Sequence, residues 1–128
     1  TQAYASKDRI GMTGYCFGGG VTWLTASKTP DLKAAVPFYG PAPADPKVLA
    51  NVKANVWAVY AGLDERVNAS IPAVEEALKE GKVNYQVKKY DGAQHAFHND
   101  TNAAVYNAAQ AKIAWTDTLA WMDKYLKG

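Results

Sequence analysis

Three residues in this sequence have the types and surroundings that nucleophilic chemistry needs: Cys16, Asp64 and His95. Cys16 is the only cysteine and stands in Gly14-Tyr15-Cys16-Phe17-Gly18, between a short apolar run and a segment with helical composition. A nucleophile held on a tight strand-to-helix turn needs small residues two before and two after it, and Gly14 and Gly18 fill those places. The N-terminus of the following helix favours negative charge and is expected to lower the thiol pKa. The backbone N–H of Phe17 is the expected oxyanion donor. Asp64 follows Val56–Ala61, an almost unbroken apolar run, and His95 follows the next strand-like segment, Tyr85–Tyr90. An acid orienting a histidine, which in turn serves as base to a thiol, is the logic of covalent acyl transfer. Glu65 is an alternative partner for the histidine, but Asp64 comes first after the strand.

Elements that place these residues follow from the pattern around them. Strands are predicted at 10–13, 34–39, 56–61 and 85–90. Pro37 argues against a central position for the second, because it lacks a ladder donor. The continuous apolarity of 56–61 suits a strand covered on both faces, and Lys88 and Lys89 mark 85–90 as an edge. Helices are predicted over 21–28, over 72–79 with Gly81 as the stop, and over 102–127. A further helical turn is expected after the proline-rich loop at 41–46, and 1–9 reads as the tail of a helix. In the last helix Trp115, Leu119, Met122 and Leu126 share one face, which reads as core. Alternating strands and helices define an α/β fold with a mainly parallel sheet. Each candidate residue then lies at the carboxyl end of a strand, where open α/β sheets bind ligands.

Composition excludes much else. The chain has 128 residues, 14 Lys plus Arg against 12 Asp plus Glu, and 48% hydrophobic residues, as in a globular domain. No run approaches the ~20 apolar residues of a membrane span, and no basic cluster suits nucleic acid. One cysteine cannot form an internal disulfide, and Thr1 to Arg9 is polar, unlike a signal peptide, so a reducing, cytoplasmic setting is expected. Gly18-Gly19-Gly20 lacks the lysine of a phosphate loop. His95-x-x-His98 with Asp100 has metal-like spacing. Zinc sites draw on three or four ligands, however, and only Cys16 and Asp64 are otherwise at hand, so neither metal nor cofactor is expected.

The chain order nucleophile, acid, histidine is that of the α/β-hydrolases. Gly14-Tyr15-Cys16-Phe17-Gly18-Gly19, Ala61-Gly62-Leu63-Asp64 and Gly92-Ala93-Gln94-His95-Ala96-Phe97 together resemble the dienelactone hydrolase (carboxymethylenebutenolidase) family, through nearly the whole chain. The resemblance implies a hydrolase that cleaves a lactone or ester, with Cys16 as nucleophile, His95 as base and Asp64 orienting it. Asn99 stands where the best-known members carry an arginine that binds the substrate carboxylate, which argues against an anionic dienelactone. In the family the elbow follows the fifth strand, and here it follows the first. The chain thus resembles the C-terminal half of the α/β-hydrolase fold, a single partial domain over 1–128. The other half would hold the second oxyanion donor and a glutamate that controls the thiol. A half-sheet of this kind would expose its first strand, so a complementing N-terminal half or a homo-oligomer is the expected partner. Another kind of thiol enzyme, a peptidase or acyltransferase, and an inactive association module are the alternative readings.

Overall fold

The computed structural model describes residues 2–127. Four strands form one sheet in the order β1-β2-β3-β4, with every neighbouring pair parallel. They are β1 (Gly11–Tyr15), β2 (Ala34–Phe38), β3 (Asn55–Ala61) and β4 (Tyr85–Tyr90). Helices α1 (Phe17–Lys28), α2 (Glu65–Asn68), α3 (Ile71–Glu80) and α4 (Ala108–Leu126) connect and cover them, with a 3-10 turn at Pro46–Asn51. Parallel pairing forces a crossover between successive strands, and those crossovers supply the covering layers.

Two apolar clusters lie on opposite faces of the sheet. One joins Trp23 and Ala26 of α1, Leu49, and Val74, Ala77 and Leu78 of α3 to Ala35, Val56, Ala58 and Tyr60. The other joins Ala111, Ala114 and Trp121 of α4, with Phe97, to Val36, Phe38, Val59 and Tyr90. The inner strand β2 is buried at all five positions, as a strand between two layers must be.

Pro37 does lie in that central strand. It is accommodated because the β2–β3 ladder pairs Ala34, Ala35 and Phe38 but leaves out 36 and 37. The last helix begins later than its composition suggests: Asn107 caps α4 by accepting from the Gln110 N–H, and 101–106 are turns or irregular. Its buried face is Ala111, Ala114, Thr118 and Trp121, so the predicted core stripe is displaced. Small residues let the helix approach the sheet. Trp115 and Leu119 are instead exposed, and Met122 and Leu126 reach round to Gly11 of β1. Gly81 ends α3 without a left-handed turn; a Cβ there would lie 2.2 Å from the Ala50 carbonyl oxygen, and Lys82 takes the positive φ of 53°. Residues 2–9 form turns rather than the tail of a helix.

The first turn of α1 is wedged between β1 and β2. A Cβ on Gly14 would lie 2.2 Å from the Gly18 carbonyl oxygen, whereas one on Gly18 would meet nothing within 4 Å. The expectation that both glycines relieve a clash therefore holds only for Gly14. Replacing Gly14 with Ala is expected to cost about 1–3 kcal/mol through overpacking. Gly18→Ala should be neutral or stabilise by up to ~1 kcal/mol, since alanine is the better helix former. Urea unfolding of the two variants checks this, and equal losses would contradict it.

Candidate active site

Strand β1 ends at Tyr15, and α1 begins at Phe17. Cys16 between them takes φ 55° and ψ −120°, a conformation that costs an L-residue roughly 1–3 kcal/mol. The surroundings hold it there. Its N–H donates to the Phe38 carbonyl (3.1 Å), and its own carbonyl accepts from the Gly19 and Gly20 N–H groups (2.9 and 3.2 Å). The Thr22 hydroxyl, fully buried, donates to the Gly18 carbonyl at 2.9 Å. The Phe17 N–H opens the helix and has no partner one turn back. The Phe17 side chain itself is 82% exposed.

Asp64 lies past the end of β3 and is 7% exposed. One carboxylate oxygen accepts from the Val67 N–H at 3.2 Å and caps α2; the other lies 2.5 Å from Nδ1 of His95. A carboxylate only accepts, so the ring proton belongs on Nδ1, and Nε2 is left with a free lone pair. Glu65, the alternative acid, is exposed as the first residue of α2. Two backbone bonds tie the loops together: Gly62 N–H to the Tyr90 carbonyl and Leu63 N–H to the Ala93 carbonyl, both 2.9 Å. The Asn68 amide adds a bond to the Ala61 carbonyl at 2.8 Å. The turns bearing Asp64 and His95 thus form one unit at the carboxyl edge of the sheet.

Cys16 faces the same edge. It lines a cavity of about 370 Å³ with Tyr15, Tyr39, Ala96, His98 and Asp100, and Ala96 directly follows His95. Burial, and then the negative charge of Asp64, push the Cys16 thiol up from its ordinary value. Both act against the lowering expected from the helix N-terminus. The thiol lies in a partly desolvated place with a carboxylate in range, and both disfavour the thiolate.

Two site residues escape a sequence reading. Tyr39 has φ 36° and is 1% exposed, its ring centred 5.0 Å from that of His95. Burial first, then the neighbouring Cys16, pushes its phenol far up, so it is a hydrogen-bond donor at neutral pH. Gly40 follows it: a Cβ there would lie 2.3 Å from the Gly19 carbonyl carbon, so α1 packs directly on the end of β2. The only prior signal is the pair of glycine-containing stretches, each ambiguous alone. His98 stacks near Tyr15, Phe38 and Trp115, with centroids 5.4, 5.5 and 5.9 Å away. Among the described residues, no three of His, Cys, Asp and Glu converge to hold a metal ion, and no helix is long and apolar enough to cross a membrane.

A parallel sheet covered by helices on both faces, with a strained turn between strand and helix and a histidine–carboxylate pair on the next loops, is an α/β-hydrolase arrangement. The sequence pattern of the dienelactone hydrolase family matches residues 1–126, and the chain belongs to that family. It is 39% identical over 127 residues to Protein usf of Aquifex pyrophilus, covering 96% of this chain and 54% of that protein. It is 35% identical to a protein of Escherichia coli O157:H7 named as a candidate carboxymethylenebutenolidase, covering 91% and 46%. A crystal structure of a candidate dienelactone hydrolase from Klebsiella pneumoniae superposes with a TM-score of 0.87 at 31% identity, over 96% of this chain and 55% of that one. The chain thus spans about half the length of the relatives it matches.

The raised thiol gives a direct expectation. Alkylation of Cys16 by iodoacetamide should rise with pH through a midpoint above that of a free thiol, ~8.5. Asp64→Asn keeps a capping side chain and removes one cause, so it should move the midpoint down. A wild-type midpoint below ~8.5, or an upward shift in Asp64→Asn, would contradict this electrostatic picture.

Proposed function

We propose that this chain carries the catalytic machinery of an ester or lactone hydrolase that works through Cys16. The observation that carries the reading is the His95–Asp64 contact, which leaves Nε2 free on the sheet edge where Cys16 holds its strained turn. A thiol pushed up in pKa is mostly protonated at neutral pH, so it needs a base at the moment of attack. His95 takes that proton at Nε2, and Asp64 stabilises the resulting imidazolium without accepting the proton.

The sulfur attacks the carbonyl carbon, and the carbonyl oxygen becomes an oxyanion facing the Phe17 N–H. Collapse breaks the bond to the alkoxy oxygen, which leaves with the proton held by His95. The acyl group now sits on Cys16 as a thioester. His95 then removes a proton from water, hydroxide adds to the thioester, and the acid departs as Cys16 regains its proton from His95. A strained residue at the reacting position fits this scheme, since the turn holds Sγ out into the cavity.

We further infer that residues 1–128 form one partial domain, whose site is completed by a segment pairing with β1. That strand is one edge of the sheet, and β1 and its flanks expose Ile10, Phe17, Val21 and Leu24. Such an edge invites strand addition. A complementing half of the same fold is the occupant favoured by the extent of the match to longer relatives. In this reading the completing segment supplies a second oxyanion donor beside the Phe17 N–H, and without it the chain alone should lose about 10²–10³ in kcat.

In hydrolysis of p-nitrophenyl acetate the isolated chain should therefore turn over far more slowly than the ~1–10³ s⁻¹ of complete enzymes, and sedimentation should show association. Cys16→Ala and His95→Ala should each remove the residual protein-dependent rate. The double variant should be no worse, because members of a catalytic unit are not additive. A monodisperse monomer with full turnover would contradict the need for a completing segment, and multiplicative losses would contradict the pairing of Cys16 with His95.

A further inference from the structure

The cavity beside Cys16 has a chemistry of its own. Asp100 is the one carboxylate on its wall; beside the Cys16 thiol the rest is Tyr15, Tyr39, Ala96, His98 and Asn99. A second cavity, about 300 Å³, adjoins it through shared walls of Tyr15, His98 and Asp100 and runs out to Tyr106, Lys112 and Trp115. Lys112 belongs to the outer cavity only. Between the two the surface is a sequence of rings. Tyr15 and His98 are centred 5.4 Å apart, and His98 and Trp115 5.9 Å apart, within the range of ring–ring attraction. Trp115 and Tyr15 remain partly exposed, so their apolar area is open to a ligand.

We propose that this cleft selects an ester whose acyl group is uncharged and bears an aromatic ring, with Asp100 as the residue that rejects anionic acyl groups. The proposal rests on the reading of Cys16 as nucleophile and names the substrate class for that site. An acyl group on Cys16 occupies the inner cavity. A carboxylate placed there would face Asp100, feel the charge of Asp64 that already acts on Cys16, and find no lysine or arginine among this chain's lining residues. Partial desolvation without a partner disfavours it further. An aromatic arm instead covers Tyr15 and His98 and reaches Trp115, burying surface that water now wets.

Alkylation tests this on the chain as it is, because Cys16 is its only cysteine and every label reports that cavity. Second-order rates are measured at low salt and pH 9, above the ordinary histidine range, for neutral iodoacetamide, anionic iodoacetate and N-benzyliodoacetamide. Each is divided by the rate of the same reagent with N-acetylcysteinamide, a reference thiol without a carboxylate, which cancels intrinsic reactivity. Iodoacetate should then be about three- to tenfold slower than iodoacetamide, the size of one like-charge interaction at a partly exposed site. Asp100→Asn, which keeps shape and removes charge, should abolish most of that difference. N-benzyliodoacetamide should be about two- to tenfold faster than iodoacetamide, and Trp115→Ala should remove the gain. Equal normalised rates for the charged and neutral reagents, a discrimination unchanged in Asp100→Asn, or a benzyl reagent with no advantage would overturn the assignment. Alkylation needs only an accessible thiol. A chain that discriminates among these reagents but forms no acyl-enzyme would therefore defeat the hydrolase reading and uphold the cavity's preference. One that acylates with flat ratios would do the reverse.

Discussion

Everything at the carboxyl edge of this sheet depends on how closely the first turn of α1 can approach β1 and β2. Three glycines at two contacts make that approach possible. Gly14 lies under the Gly18 carbonyl, and Gly19 and Gly40 lie against each other, none of the three with room for a Cβ. Held at both contacts, the chain has one way to pass from strand to helix, and Cys16 absorbs the cost at φ 55°. The strain of roughly 1–3 kcal/mol is offset by the burial of Trp23 and Ala26 on the same helix, both 1% exposed. Loosening either contact would release the turn and take Sγ out of register with the loops that follow.

Those loops are built to match. The Gly62–Tyr90 and Leu63–Ala93 backbone bonds make the segments after β3 and β4 a single structure, so Asp64 and His95 are positioned relative to each other before any side-chain contact forms. Phe97, fully buried against Tyr39 and Tyr90, pins the far end of the histidine loop. Asp64 divides its two oxygens between the Val67 N–H and His95. It therefore keeps its orientation whether or not the imidazole is charged, which is what a residue that holds a base in one tautomer must do. The same carboxylate adds to burial, the larger cause, in raising the Cys16 thiol.

Much of this is legible in the amino-acid sequence, and the reasons are physical. Val56–Ala61 is apolar throughout because both its faces are covered, and that signal located a strand and the acid after it. The chain order of Cys16, Asp64 and His95 survives because parallel strands deliver their carboxyl ends to one edge in sequence. The misplaced stripe of α4 has an equally definite cause. Apolar periodicity marks a face that avoids water but not which surface covers it. In α4 the small residues Ala111, Ala114 and Thr118 are the ones pressed on the sheet, while Trp115 and Leu119 are exposed. Local pattern also cannot rank opposing electrostatic effects. The helix terminus at Cys16 is evident from sequence, but the burial and the Asp64 carboxylate that act against it exist only in the fold. Tyr39 and Gly40 were invisible for the same reason, since their roles depend on the contact between α1 and β2.

In the proposed reaction Cys16 receives the acyl group and His95 makes it able to do so. The most direct measurement is intact-mass and peptide-level analysis after a brief exposure to p-nitrophenyl acetate, for the wild-type chain and for His95→Ala, denatured in acid to preserve any thioester. One acetyl group per chain is expected on the peptide containing Cys16, formed at least about tenfold more slowly in His95→Ala. Acetylation spread over lysines with Cys16 unmodified, or Cys16 acylated equally fast without His95, would contradict it.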